Sequence, residues 1–451
     1  MRLGVFDRRR AGVLLHLGSL EAPLGRGGRA CIDWLAAAGF TVWQTLPLGP
    51  PGADGSPYWV RSDFAGNPAL LDSQEWPECS GGDFESFLRD AQHWLGDYAL
   101  YQALSQRYGG SPWWTWPAAL RDRDPQSIER AGAELHEQLW QVKREQFAFA
   151  VQWRRLRQHA HHRGVRLFGD LPFYVAPDSA ETWAHRGQFQ LDQEGRPRAV
   201  AGVPPDYFSA TGQLWGNPLY EWPMMLGDGF HFWRARTRQQ LERFDLLRLD
   251  HFRALAAHWA VPASAPDARS GQWQHTPGNE LLRMLQDELG ELPLVAEDLG
   301  VITEDVEALR RRFHLPGMRV LQFAFSGEGD NPHLPHMHER DSVVYTGTHD
   351  NDTSLGWFTS LEAGVRQWVE LFLRYTPGCM PDALIREALG SVGKLAILPV
   401  QDILHLGSEA RLNTPGTAVG NWTWRMPSGA LTSELAGQYA TLNRMYGRFA
   451  G

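Results

Sequence analysis

The chain has 451 residues, a formal net charge of −9 at pH 7, 43% hydrophobic and 21% charged residues. That is ample for a large globular core, and the acidic balance, without a basic run or zinc-like cluster, argues against nucleic acid as a partner. No stretch is long and apolar enough to span a membrane, and Cys31, Cys79 and Cys379 stand far apart with no C-x-x-C spacing, which points to reduced thiols in a cytoplasmic protein.

The opening MRLGVFDRRR is basic and is followed by AGVLLHLG. This apolar run is short, broken by His16 and without a small-residue cleavage site, so a first buried strand is expected rather than a signal peptide. Seven further apolar runs follow, and the eight together span residues 12–16, 40–48, 165–173, 244–252, 293–299, 318–325, 342–350 and 395–404. Most are near-continuous in Val, Ile, Leu and Phe, as in parallel strands covered on both faces. Helical patterns lie at 30–38, 230–244, 278–289, 303–313 and 362–375; Thr303 opens its helix as a cap residue with acids behind it. Strand and helix alternating in this way predict an α/β fold, a (β/α)8 TIM barrel. The length prior allows two or three domains, but one barrel with insertions absorbs residues 1–451.

Two connections exceed a plain βα loop. Residues 49–164 carry amphipathic pattern around 84–108 and 128–162, which predicts a mainly helical insertion after the second strand. Residues 174–230 are rich in Gly, Pro and aromatics with little periodicity, which predicts an ordered lid after the third.

Barrel enzymes carry their chemistry at the C-terminal ends of the strands. The third run ends in Asp170, the fourth in Asp250 and His251, the fifth in Glu297 and Asp298, the seventh in His349 and Asp350, and the eighth reaches Gln401 and Asp402. Within RFDLLRLDHFR, Arg248 and Asp250 stand two apart and so share one face of a strand. A guanidinium beside a carboxylate favours the ionised form. Convergent carboxylates suit either a metal site or glycoside cleavage, which needs one ionised and one protonated carboxyl. Arg248 favours the second, because a cation competes with a metal for Asp250. Glu297 follows the apolar Leu294-Val295-Ala296, an approach that raises a carboxyl pKa by desolvation and suits a general acid. The 20 tryptophans fit a site where rings stack on sugars, although core packing explains most such residues. Neither a phosphate-cradling P-loop nor a G-x-G-x-x-G fingerprint is present.

At these residues the chain resembles the 4-alpha-glucanotransferases, or amylomaltases, of the alpha-amylase-like barrel superfamily. The shared stretches run nearly end to end: WQTLPLGP, SPYWVRSDFAGNP, GDLPFYV, AGVPPDYFSATGQLWGNPLYEW, RFDLLRLDHFR, VAEDLG, YTGTHDNDT, VQDILHLGSEARLNTPGT and NWTWR. The resemblance implies that Asp250 is the nucleophile, Glu297 the general acid/base and Asp350 the transition-state stabiliser, with Arg248 keeping the nucleophile ionised. It further implies that His251, His349 and Asp170 bond sugar hydroxyls, and that Ser56, Tyr58, Gln213, Trp215 and Asn413 line donor and acceptor subsites. Malto-oligosaccharides, starch or glycogen-type α-1,4-glucans are the implied partners, with no metal or organic cofactor. An α-glucan hydrolase of the same superfamily and a non-catalytic glucan-binding protein are the alternatives. The chain departs from the family's usual residues at Ala254, Leu255, Ala256, Ala260, Trp59 and Ala210, which bears on acceptor preference and lid behaviour.

Overall fold

The computed structural model describes residues 4–205, 209–374, 376–417 and 419–449. Eight parallel strands, Arg10–Leu14, Val42–Gln44, Arg166–Leu171, Leu246–Leu249, Leu294–Ala296, Gly317–Val320, Ser342–Tyr345 and Leu395–Pro399, form one sheet. They are called here the first to eighth barrel strands. Hydrogen bonding runs from the sixth through the eighth to the first and on to the fifth. The two ends meet where Ala296 N–H donates to Pro316 O at 2.8 Å, so the barrel is nearly closed.

Every expected strand is present, and most are shorter than their apolar run. Leu46 and Leu48, beyond the paired Val42–Gln44, are still buried. Apolarity reports burial, whereas a strand needs a partner, and the runs outlast their ladders as they enter the mouth loops. Expected helices appear as Arg26–Ala37, His231–Arg243, Gly278–Leu289, Glu304–Arg312 and Ala363–Phe372; Tyr375, the expected end of the last, lies outside the described residues. Thr303 does occupy the N-cap position, but its hydroxyl donates to the Asp305 carboxylate and caps no backbone N–H.

Between the second and third barrel strands the chain forms helices Gly81–Asp90, Leu95–Arg107, Ala118–Arg121, Pro125–Glu134 and the 27-residue His136–His162. Between the third and fourth strands, the stretch read as aperiodic contains two strands, Ala199–Val203 and Gln213–Pro218. They pair with Ala257–Pro262 and Gln272–His275 in a four-stranded antiparallel sheet. Ala199–Val203 pairs with its sequence neighbour Gln213–Pro218 and Ala257–Pro262 with Gln272–His275, but the pairing that joins the two halves is distant in sequence, with Ala201 facing Ala260, so no hairpin turn announces it. Asp206, Tyr207 and Phe208, also part of the expected lid, lie outside the described residues. Among the described residues no helix is long and apolar enough to cross a membrane.

Inward-pointing residues of the strands fill the barrel as a separate cluster, which includes Leu14, Val42, Phe168, Leu246, Val295, Met318, Val343, Tyr345 and Ile397. Gly12 makes room for it, since a Cβ there would stand 2.6 Å from Ile397 Cδ1 and 2.7 Å from Val42 O. The seam between the fifth and sixth strands is closed largely by a side chain. Buried Asp298 accepts from Met318 N–H at 2.6 Å and from Arg319 Nη1 at 3.3 Å, and pairs with Arg310 Nε at 3.3 Å. Removing it leaves two buried guanidinium groups short of their counter-charge. Asp298→Ala should therefore cost about 3–5 kcal/mol of stability, seen as a lowered denaturation midpoint, with Asp298→Asn milder; an unchanged midpoint would refute a structural role at the seam.

Candidate active site

The inward parity that fills the barrel continues into its mouth. Phe168 points inward, and so does Asp170 two residues on; Leu246 is followed by Arg248 and then Asp250, and Val295 by Glu297. The parallel register places Asp170 directly opposite Arg248 on the neighbouring strand. Asp170, Asp250 and Glu297 are thus presented by three adjacent strands, the third, fourth and fifth.

Arg248 joins them. Its Nε donates to both Asp170 oxygens at 3.0 Å, and its Nη2 donates to Asp250 Oδ1 at 2.6 Å and to Tyr58 OH at 3.2 Å. Tyr58 in turn donates to Asp170 Oδ2 at 2.6 Å. Burial disfavours the Arg248 charge, but Asp170 and Asp250 outweigh it and raise its pKa well above the ordinary value. Burial, and then the Asp170 charge, push the Tyr58 hydroxyl upward, so it stays protonated as a donor.

Glu297 is held differently. Its Oε2 accepts the backbone N–H of His251 at 2.8 Å. His251 adopts φ +50°, in the left-handed region, and this turn lies directly after the nucleophile candidate. Burial first, and then the nearby charge of Asp250, hold the Glu297 carboxyl well above its usual range, against the opposing pull of Arg248 and the His251 N–H. His251 is half-buried; desolvation of its imidazole lowers the pKa to about 4, and its Nε2 has no hydrogen-bond partner among the described residues. The Trp215 ring meets it edge-on with centroids 4.6 Å apart, and Trp215 Nε1 donates to Gln213 Oε1 at 3.1 Å.

The opposite rim carries Asp350. Its Oδ1 accepts from Asn413 Nδ2 at 2.7 Å and lies 3.4 Å from His349 Nε2, and its carbonyl accepts from Arg411 at 2.7 Å. His349 stacks on Tyr58 with centroids 5.2 Å apart, which ties this rim to the Arg248 cluster. Ser56 Oγ accepts from Tyr58 N–H at 3.2 Å and shapes the loop that presents the tyrosine. Trp59, on the same loop, lies close to Gly216, where an added Cβ would stand 3.5 Å from its ring.

All the residues expected at the site are therefore drawn into this one constellation. Two acids at strand ends are not. Asp298 has the opposite parity from Glu297 and serves the seam, and Asp402 spends its oxygens on Thr346 and Ser354 at 2.6–2.7 Å. Gln401 donates to Ala410 O at 3.3 Å. The sequence reading missed Arg411 and Trp422, whose ring lies 6.0 Å from both Tyr58 and His349. Both fall inside stretches quoted for the resemblance, which was their only signal.

A family model described as 4-alpha-glucanotransferase matches residues 15–81 and 73–432. The chain is 44% identical to a 4-alpha-glucanotransferase of Thermus thermophilus over 94% of this chain and 96% of that protein. It is 40% identical to one of Synechocystis over 98% and 99% of the two chains. Among solved structures, an amylomaltase from Streptococcus agalactiae in complex with acarbose superposes with a TM-score of 0.93 at 30% identity, covering 98% of this chain and all of that one. With this extent of match and the carboxylates in place, the chain belongs to the 4-alpha-glucanotransferase family of glycoside hydrolase type.

Proposed function

We propose that this 4-alpha-glucanotransferase works by double displacement through Asp250 and Glu297. The reading rests on one observation: a carboxylate bonded to a buried arginine stands beside a carboxyl whose pKa is held high. Asp250 attacks the anomeric carbon of an α-1,4-glucan, and the glycosidic C–O bond breaks as Glu297 gives its proton to the leaving oxygen. The leaving segment departs with a free 4-hydroxyl. In the second half, the 4-hydroxyl of another glucan, or of glucose, attacks the glucosyl ester. Glu297 takes back a proton, and the Asp250 carboxylate is released. No step calls for a metal or an organic cofactor.

Asp350 stabilises the charge that develops at the sugar, with Asn413 fixing its orientation. The unpartnered His251 Nε2 and the His349 ring bond sugar hydroxyls. Asp170 and Tyr58, already committed to Arg248, position the nucleophile as well as meeting the sugar. Ser56, Gln213 and Trp215 line the approach, and Trp215 over His251 supports residues 174–230 acting as a lid. We read residues 1–451 as one catalytic barrel with 49–164 as its mainly helical insertion. Malto-oligosaccharides and starch or glycogen-type glucans are the substrates, and a cytoplasmic setting accords with three free cysteines.

Glu297 links mechanism to pH. A carboxyl whose folded pKa lies above its unfolded value of ~4.3 contributes stability that is fully present below that value and lost as pH rises through the folded one. Glu297→Gln escapes that loss. Its melting temperature should therefore gain on the wild type between pH 5 and pH 9, while glucan transfer collapses and an α-glucosyl fluoride, which needs little protonation, is still turned over. Parallel melting curves across that range would contradict the buried-acid assignment.

Transfer creates no new reducing ends, whereas hydrolysis creates one per event. Incubated with maltotriose, the protein should yield glucose and longer malto-oligosaccharides at nearly constant reducing power, and Asp250→Asn should abolish both products. Steadily rising reducing power without longer chains would identify a hydrolase. Bound but unchanged maltotriose would identify a binding protein.

A further inference from the structure

The two carboxyls proposed to react draw their support from different parts of the chain. Tyr58 braces Arg248 and, through it, Asp250, whereas Trp215 lies over His251, whose N–H holds Glu297. The residue after Tyr58 is the point at which these two supports meet.

Trp215 belongs to Gln213–Pro218, an edge strand of the four-stranded sheet. Its pairing slips: Pro218 faces Val200 and Leu214 faces Gly202, so that Trp215, Gly216 and Asn217 stand against Ala201 alone. A bulge of this kind bends a strand and re-aims a side chain, and Gly216 takes φ +83° within it, a conformation that favours glycine. Beyond the bulge the strand is anchored, with Asn217 Nδ2 donating to Val175 O at 3.0 Å and both Asn217 and Pro218 buried. Before it, Gln213 and Leu214 are exposed. The Trp215 indole is thus carried on the less anchored arm.

Trp59 meets the strand at the bulge. Its half-buried indole reaches from Gly52, where an added Cβ would stand 3.1 Å from Cδ1, to Gly216, where one would stand 3.5 Å from Cη2. Apart from the residues flanking Gly216, no other described atom lies within 4 Å of that second position. The hairpin behind the ring is fixed: Gly52 N–H donates to Trp59 O and Arg61 N–H to Pro50 O, both at 2.8 Å, and Arg61 O accepts from Ala180 N–H at 2.9 Å. A flat ring on a fixed hairpin, facing a residue without a side chain, is a stop. Glycine lets the strand come down, and the ring sets how far.

We propose that Trp59 is a positioning residue, which sets the height of Trp215 over His251 and so keeps water from the glucosyl ester until an acceptor sugar arrives. It acts through the strand and touches no reacting atom, and its role rests on those proposed above for Asp250 and Glu297. Where water does enter, its oxygen bonds the anomeric carbon, the bond to Asp250 breaks and Glu297 takes the proton, leaving one new reducing end.

The share of turnovers that end in hydrolysis, read from maltotriose as new reducing ends against transfer products, tests this directly. That share is decided within each turnover, so a variant that folds only in part still reports it. Trp59→Ala should raise it about five- to tenfold, and Trp59→Phe, which keeps a flat ring, should stay within about twofold of the wild type. The glucose concentration that gives half-maximal transfer should be the same in all three proteins. Trp59→Ala added to Trp215→Ala should raise the share no further than Trp215→Ala alone, because both act through one contact. An unchanged share in Trp59→Ala, or full additivity with Trp215→Ala, would overturn the proposal. So would a rise matched by a higher glucose requirement, which would make Trp59 an acceptor contact. Wild-type transfer by Asp250→Asn would instead count against the proposed reaction, and the Trp59 ratio would stand as measured.

Discussion

One guanidinium organises this barrel mouth. Arg248 reaches the active site because inward parity on the fourth strand carries it there, and it meets Asp170 because the parallel register sets the two side by side. Its Nη2 is then available to Asp250 and Tyr58. Three backbone segments, the third strand, the fourth strand and the loop at 56–61, converge on a single buried charge. Replacing it would strand the buried Asp170 carboxylate, at a cost typical of broken buried pairs, and would release Asp250 and Tyr58 together.

A second buried arginine supports that arrangement from behind. Arg236, on helix His231–Arg243, donates to Pro172 O at 2.6 Å and to Phe173 O at 3.1 Å, just past Asp170, and pairs with Asp63 at 3.0 Å. From the same helix, Gln240 holds Asp63 O at 2.8 Å and Arg243 holds Phe64 O. The helix thus fastens the end of the third strand to the chain just beyond Tyr58.

Much of this was legible in the sequence, for a physical reason. Parallel strands in a covered barrel are continuous apolar runs, and polar residues at their ends stand out; Asp170, Arg248, Asp250 and Glu297 were visible in that way. Parity explains what was not. Glu297 and Asp298 are adjacent in sequence, and only the direction of the strand decides that one faces the mouth and the other the seam. Asp402 looks like a mouth acid until Thr346 and Ser354 are seen to occupy it. The small antiparallel sheet was invisible because its strands are short and because its central pairing, Ala199–Val203 with Ala257–Pro262, spans more than fifty positions of sequence. Arg411 and Trp422 escaped because neither lies on a strand; loops far along the chain bring them to Asp350 and Tyr58.

The turn at His251 places the two carboxyls proposed to be catalytic under different kinds of inheritance. Asp250 depends on a side chain, so a single codon change at Arg248 is enough to release it. Glu297 depends on a backbone N–H, which every residue except proline possesses. Drift at position 251 can therefore explore new sugar contacts through the side chain while the acid keeps its anchor, provided the substitute tolerates φ +50°. Glycine and asparagine meet that condition readily, and β-branched residues do not. The sugar contacts proposed for this position can vary over a narrow alphabet set by backbone geometry, whereas the support of the proposed nucleophile admits almost no variation.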